Sequence, residues 1–409
     1  MAKEKYIKRS LEPVIKRAAR EFPVVVLTGP RQSGKTTLLK HLFPGDYSYV
    51  SLEPPDVRMA ASSDPRGFIE LNSPPVIFDE IQYAPELLPY IKERVDSERD
   101  ISGQYLLTGS QNLLLVERVT ESLAGRAAML RLMPLTRREM ANDPGALFPW
   151  EKKRKSAPEK PLAYMDLWKS LLRGGYPELI AHPRRDHSLW QASYVQTYLE
   201  RDVRSLRQVG DLTQFQNFLR ALAARSAQLL SISELARDLG VAVNTVKAWL
   251  SVLEATYQVI ILRPYFANFG KRLVKTPKVY FVDTGILCYL AGLKDPAHAA
   301  SGPLGGAIME TAVLSEVFKT LIHRGVEPRI HFWRTSAGQE IDLLVEYEGR
   351  LVPLEVKLSA TPQPAMATPI KAFRKDFGEK LSAPGYVIHP GDISLPLGPD
   401  ALALPFAEL

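Results

Sequence analysis

Apolar and polar positions switch between two periods along the first 140 residues. Leu11, Val14, Ile15 and Ala18 recur at helical spacing, which predicts a short amphipathic helix between Leu11 and Phe22. Short apolar runs follow at Val24–Leu27, Tyr47–Ser51, Val76–Phe78, Tyr105–Thr108 and Met129–Leu132, with helical patterns between them. Strands of this kind alternating with helices predict a parallel sheet covered on both faces. The helical period then dominates from about Ala163 to Leu290. From Gly305 a helical segment, Ile308–Phe318, leads into strand-like runs at Ile330–Arg334, Glu340–Val345 and Leu354–Lys357. The expected fold class is α/β, divided into a parallel-sheet domain at 1–140, a linker at 141–162, a helical region at 163–300 and an α/β domain at 301–409. Asn142–Pro161 is rich in Pro and charge and reads as a mobile linker. Its basic cluster, Lys152–Lys155, is either solvated or a DNA contact.

The first strand run feeds a loop with chemistry. Gly29-Pro30-Arg31-Gln32-Ser33-Gly34-Lys35-Thr36 has the spacing of a phosphate-binding loop, and Thr36-Thr37-Leu38-Leu39 begins a helix. At a helix N-terminus free N–H groups and the dipole face the phosphates, Lys35 reaches the β and γ oxygens, and the Thr36 hydroxyl suits Mg²⁺. The nucleotide-binding candidates are therefore residues 29–36 together with Thr37. A carboxylate at the end of a second buried strand completes such a site, and Pro75-Val-Ile-Phe-Asp79-Glu80 supplies it. Asp79 is placed to order the Mg²⁺ shell and Glu80 to act as general base on water. Adjacent Asp-Glu points to ATP hydrolysis, and no Asn-Lys-x-Asp for reading guanine is present. After the next strand, Ser110 is the first candidate for a γ-phosphate sensor and Thr108 the second, against the alternative of a plain Ser/Gly turn. Arg126 reads equally as an arginine finger offered to a neighbouring subunit or as a surface ion pair.

Taken together, Leu27–Thr36, Phe78-Asp-Glu-Ile-Gln82, Leu107-Thr-Gly-Ser-Gln111 and Ala124-Gly-Arg126 resemble a prokaryotic AAA-type ATPase of the group carrying a C-terminal domain of uncharacterised function. Arg173-Gly-Gly-Tyr-Pro-Glu178, Tyr198-Leu-Glu-Arg-Asp202 and Phe281-Val-Asp-Thr-Gly285 are similar to that group's second domain. The resemblance implies a P-loop AAA-type core and a DNA-related accessory region. It also implies a homo-oligomer, with a hexameric ring among the expected forms.

Ser231–Gly240 followed by Val241–Leu250 reads as helix, Gly-bearing turn, helix, with Leu235, Ala236, Leu239, Val246, Leu250 and Leu253 as the shared apolar face. The strand-like Val259–Leu262 and a basic segment containing Lys271 and Arg272 make a winged-helix-like module the expectation. Asn244, Thr245 and Lys247 then face a major groove, mostly for backbone contact. The alternative is a lid that packs on the ATPase. Further on, Asp342, twelve intervening residues and Glu355-x-Lys357 resemble the PD-(D/E)xK nuclease fold. That resemblance makes Glu310, Asp342 and Glu355 Mg²⁺ ligands and Lys357 the residue that steadies the attacking hydroxide. The alternatives are an ordinary edge strand, with Asp342 paired to Arg334, or a silent DNA-binding or dimerising domain.

Composition changes little. Hydrophobic residues at 45% and charged residues at 24% are ordinary globular values, and a net charge of +7 gives nucleic acid only a slight lift. The single Cys288 excludes an internal disulfide and a Cys-rich zinc site, and the seven His show no HExxH spacing. No apolar stretch of about 18 residues and no signal-peptide core occur, so no membrane partner and a cytoplasmic setting are expected. The function expected is an ATP-hydrolysing protein that binds or remodels DNA. The alternatives are an ATP-gated, Mg²⁺-dependent DNase and a nucleotide-dependent scaffold or switch for a protein partner.

Overall fold

A computed structural model describes residues 6–109, 121–151, 162–199, 212–265, 274–378 and 381–409. Its first sheet holds β1 (Val24–Thr28), β2 (Ser48–Ser51), β3 (Val76–Asp79), β4 (Tyr105–Gly109) and β5 (Ala127–Arg131) in the order β2-β3-β4-β1-β5. Every pairing is parallel. Successive strand residues point to opposite faces, and the cores follow that rule. Val24, Val26, Phe78 and Leu107 fill one face, while Val25, Leu27, Ile77 and Leu106 fill the other. The helix Glu12–Glu21 covers the second face through Leu11, Ile15 and Ala18. Because β4 lies between β1 and β3, the loops after these three strands open on one edge, where a ligand of a doubly covered sheet belongs.

The middle region contains the helix Leu212–Ala223, β6 (Gln228–Leu229), the helices Ile232–Leu239 and Val243–Ala255, then β7 (Val259–Leu262) and β8 (Lys278–Phe281). The three strands form an antiparallel sheet in the order β6-β8-β7. Ser231 caps the first helix of the pair by accepting from the Glu234 N–H at 3.3 Å, and Gly240 at φ 65° turns the chain into the second. Five of the six residues expected on the shared face are buried, and Leu239 is partly so.

The last region is the helix Gly305–His323 followed by β9 (Ile330–Arg334), β10 (Glu340–Tyr347), β11 (Arg350–Val356), the helix Thr368–Phe377, β12 (Gly385–His389), β13 (Leu395–Pro396) and β14 (Ala401–Pro405). The sheet runs β13-β14-β12-β11-β10-β9, antiparallel from β9 to β11 and parallel from β11 through β12 to β14. One continuous core joins Trp168, Phe218, Leu253 and Tyr280 of the middle region to Ile308, Val313, Leu343 and Leu354 beyond residue 300. Helical region and last domain therefore share their interior.

The stretch expected as a mobile linker behaves differently in its first half. Phe148 is fully buried and stacks on Trp150, with ring centroids 4.6 Å apart. Arg324 Nη1 donates to both carboxylate oxygens of Glu151 at 2.8 Å. The aromatic pair among the prolines outweighs the local polarity, and residues 142–151 are anchored. Residues 152–161, with the basic cluster, lie outside the described residues.

Candidate functional site

Gly29 ends β1 at φ 146°, and a Cβ there would sit 2.1 Å from the Leu132 carbonyl oxygen, so only glycine lets the loop leave the sheet on this path. The loop winds into the helix Lys35–Leu42. Lys35 is 5% exposed and its Nζ donates back to the carbonyls of Gly29 at 3.1 Å and Pro30 at 3.0 Å, so the ammonium lies in the mouth of its own loop. Thr36 Oγ1 lies 2.9 and 3.0 Å from the two oxygens of Asp79, whose Oδ2 also accepts from Tyr49 OH at 2.7 Å. A hydroxyl and a carboxylate converging in this way form the hard oxygen pair that suits Mg²⁺. Burial, and after it the hydrogen bond to Asp79, push the Tyr49 phenol above its ordinary range, so it stays a donor.

Glu80 follows at φ 59°, a left-handed conformation rare for glutamate and costing about 1 kcal/mol or more. Thr108 at the end of β4 fixes this turn: its hydroxyl donates to Asp79 Oδ1 and accepts from the Glu80 N–H at 3.0 Å. Gln82 bonds the Glu80 carboxylate. A cleft of about 540 Å³ then brings Gln32, Gly34, Lys35, Thr36, Thr37 and Glu80 together. Ser110 lies outside the described residues. Arg126 is tied within its own subunit, Nε to Asp96 Oδ1 at 2.6 Å and Nη2 to Oδ2 at 3.0 Å, which is the geometry of an ion pair.

Two contributors escaped the sequence reading. The far wall of the cleft is Pro177, Glu178, Ala181 and His182, on and just after the helix Pro177–Ala181 of the middle region. The signal was visible in Arg173-Gly-Gly-Tyr-Pro-Glu178, but not its destination. Asp283 sets that wall: buried, it accepts from the Gly175 N–H at 2.7 Å and caps the helix Thr284–Leu290 through Ile286 N at 3.1 Å. The other contributor is Arg9, 4% exposed, whose Nη1 donates to the Ser33 carbonyl at 2.9 Å and Nη2 to the Met133 carbonyl at 2.6 Å. Its Nε lies 3.2 Å from Glu139, and His323 of the helix Gly305–His323 lies 3.0 Å from the same oxygen. Burial alone would raise the Glu139 carboxyl, but Arg9 and His323 outweigh it and hold it well below the usual range. The Met133 N–H donates to His323 Nε2 at 3.0 Å, and burial pushes the imidazole down, so His323 is neutral at pH 7. The phosphate loop is thereby wired to the last domain. A polar N-terminal stretch gives no sequence cue for this role.

Asn244 and Lys247 are exposed and Thr245 is half-buried at the front of the helix Val243–Ala255. Lys271 and Arg272 lie outside the described residues, as do Glu200–Asp202 of the Tyr198–Asp202 motif.

The last domain does not assemble its acids as expected. Glu310, Asp342 and Glu355 share one buried neighbourhood. Burial, and then the Asp342 charge, push the Glu310 carboxyl up to about 7 and that of Glu355 up to about 8. Yet among the described residues no group of three His, Cys, Asp or Glu is placed to hold a metal ion. Asp342 Oδ2 accepts from the Val356 N–H at 2.8 Å, and Lys357 Nζ binds Glu355 Oε1 at 2.5 Å. Lys278 of β8 reaches in, with Nζ 3.0 Å from Glu310 and 2.7 Å from Glu340. Arg334 pairs with Glu340 at 3.1 Å and not with Asp342. In place of the expected shared Mg²⁺, Glu310 is paired with Lys278, Glu355 with Lys357 and Asp342 with a backbone N–H.

Comparison with known proteins agrees with the first site. The family described as AAA domain matches residues 21–141. Domains of unknown function DUF8612 and DUF4143 match 164–297 and 305–409. A solved structure, the Walker-type ATPase of Pyrococcus abyssi, is 16% identical, covering 70% of this chain and 97% of that one at a TM-score of 0.46. Among the described residues no helix is long and apolar enough to cross a membrane. Uncharacterised proteins of Mycobacterium bovis and of Mycobacterium tuberculosis are each 33% identical over 401 residues, covering 97% of this chain and 82% of theirs. The chain belongs to the family of these mycobacterial proteins, and its nucleotide-binding part is an AAA-type P-loop domain.

Proposed function

We propose that this chain binds and hydrolyses ATP in the cleft and uses the changes that follow to hold or remodel DNA. The observation that carries the reading is the convergence of Lys35, Thr36 and Glu80 on one cavity, with Asp79 bonded to the Thr36 hydroxyl. Lys35 leaves the Gly29 and Pro30 carbonyls for the β and γ phosphate oxygens, exchanging two neutral acceptors for charged ones. Thr36 and Asp79 would hold Mg²⁺, which supplies charge neutralisation of the triphosphate when bound. Glu80, fixed by Thr108 and Gln82, orients water and takes its proton. Tyr6, Ile7, Leu135 and Ala181 offer an apolar end for the base.

The DNA part rests on the middle region. Helix, strand, two helices and two strands, with the sheet ordered β6-β8-β7, support a winged-helix reading. The module presents Asn244 and Lys247 outward with the half-buried Thr245 between them, and we assign the three to phosphate and groove contact. In the last domain, a helix, three antiparallel strands, a helix and a parallel strand favour the PD-(D/E)xK-like fold, here as a binding element. Assembly into a ring that uses Arg126 between subunits requires the pair with Asp96 to open.

ATP turnover of the wild type, Lys35→Ala and Glu80→Gln, with and without duplex, single-stranded and branched DNA, tests the proposal. Both variants should lose turnover, with Glu80→Gln still binding ATP, and at least one DNA form should stimulate the wild type. Turnover unchanged in both variants would remove the assignment of the site. Absence of any DNA effect would favour the scaffold reading.

A further inference from the structure

The acids of the last domain and the lysine that enters among them come from different parts of the chain. Lys278 opens β8, the central strand of the small sheet, and its side chain is 4% exposed. The carboxylates sit on the helix Gly305–His323 (Glu310), on β10 (Glu340, Asp342) and on β11 (Glu355). Tyr280, two residues along β8 and on the same face, donates to Glu310 Oε1 at 2.5 Å. The attachment continues along the backbone: the Tyr265 N–H donates to the Phe332 carbonyl at 2.7 Å and the Val274 N–H to the Arg334 carbonyl at 3.1 Å, so the chain just after β7 and the chain leading into β8 both bond the edge strand β9. One polar atom is left over, because Glu355 Oε2 is buried without a partner.

Three carboxylates in one buried neighbourhood, with the half-buried Glu340 beside them, require countercharge, since an unpaired buried charge costs several kcal/mol. A divalent ion, bound protons or ammonium groups can each supply it. An ammonium delivered by the same chain acts at an effective concentration on the order of millimolar or higher, and Mg²⁺ sheds its water reluctantly. We propose that Lys278 is a resident cation: its ammonium takes the place of a divalent ion at this nuclease-like acid set, closes the set to metal, and clamps the β6-β8-β7 module onto the last domain. While the clamp is closed, the domain grips without cutting. When Lys278 leaves, Glu310, Asp342 and Glu355, with its unpartnered oxygen, become available as an oxygen-donor site for a hard divalent ion.

Mn²⁺ binding read by the loss of free-ion electron paramagnetic resonance signal, on nucleotide-free full-length protein, tests this directly. Wild type and Asp342→Asn should take up Mn²⁺ equally, since the acid set contributes nothing while Lys278 occupies it. Lys278→Met keeps the apolar stem and removes the charge. It should gain one site at least tenfold tighter than any in the wild type, and adding Asp342→Asn should abolish that site. A wild type whose Mn²⁺ uptake drops on Asp342→Asn overturns the proposal, and so does a folded Lys278→Met that gains no site. The wild-type comparison decides the matter even if Lys278→Met fails to fold. A second measurement uses the melting temperature: millimolar Mn²⁺ should leave any Asp342-dependent shift at zero in the wild type, and a shift lost on Asp342→Asn would count against the clamp.

Discussion

Replacing Gly29 by Ala tests how the phosphate loop is positioned. The new Cβ would lie 2.1 Å from the Leu132 carbonyl oxygen, about 0.9 Å short of the 3.0 Å that real Cβ atoms keep. Leu132 cannot retreat freely, because its N–H donates to the Thr28 carbonyl at 2.8 Å and the next carbonyl, of Met133, is held by Arg9 at 2.6 Å. The loop must therefore move instead, carrying Lys35 by close to 1 Å, and a misplacement of about 1 Å in a catalytic array costs roughly 10²-fold in rate. Alanine at φ 146° adds strain on the order of 1–3 kcal/mol. Gly45→Ala separates the two effects, because Gly45 has φ 81° and nothing within 4 Å of its built Cβ. Steady-state ATP turnover with a coupled phosphate assay, alongside melting temperatures, should show Gly29→Ala down about 100-fold and Gly45→Ala near wild-type turnover with a small loss of stability. Turnover of Gly29→Ala within threefold of the wild type would refute the steric argument. Equal turnover losses in the two variants would assign the effect to strain alone.

Three further outcomes are expected. Lys247→Glu should weaken binding of duplex DNA about equally across sequences and lower the slope of log affinity against log salt by about 1, measured by fluorescence anisotropy; an unchanged slope would remove Lys247 from the interface. Asp283→Ala leaves the buried Gly175 N–H without its acceptor and uncaps the helix Thr284–Leu290, a loss of about 2–4 kcal/mol readable as an earlier tryptophan-fluorescence transition in urea; a loss below about 1 kcal/mol would show that the turn holds itself. Burial keeps the folded-state pKa of His323 below its ordinary 6.5, so the unfolded chain binds more protons as pH falls from 7 to 5 and stability drops by up to about 1.4 kcal/mol per pH unit. Glu310 and Glu355, raised to about 7 and 8, act with the opposite sign, so the test is the difference between wild type and His323→Asn. Parallel pH–stability curves for the two would rule out the His323 contribution.

The parallel sheet and its nucleotide edge were legible because both depend on local signals. A Val-Val-Val-Leu run buried on two faces, a glycine-framed loop and an Asp at a strand end are short-range patterns. The helix pair at 232–255 was legible for the same reason. What escaped depends on distant contacts. Arg9 meets Ser33 and Glu139 only after β1 and β5 pair, and Glu178 reaches the cleft only when Asp283 sets the Gly174-Gly175 turn. The acid set of the last domain shows the converse. Asp342, Glu355 and Lys357 have the spacing of a metal site, but Lys278, which meets the neighbouring Glu310 and Glu340, is supplied by another region.

The interior shared across residue 300 has a mechanical consequence. A cut there would strip apolar side chains from both fragments, so the middle and last regions move as one solid piece and any stroke set off by hydrolysis must be taken up where that piece meets the nucleotide sheet. The ties that cross that seam include Thr28 Oγ1 with Tyr257 OH at 3.2 Å, Arg131 with Glu327 at 2.6 Å, the buried Glu139–His323 contact, Arg137 N–H to Glu316 at 2.9 Å and Lys319 to the Leu135 carbonyl at 3.0 Å. Tyr257 sits just after the helix Val243–Ala255, so a shift of Thr28 at the root of the phosphate loop would reach the exposed front of that helix through one hydroxyl pair.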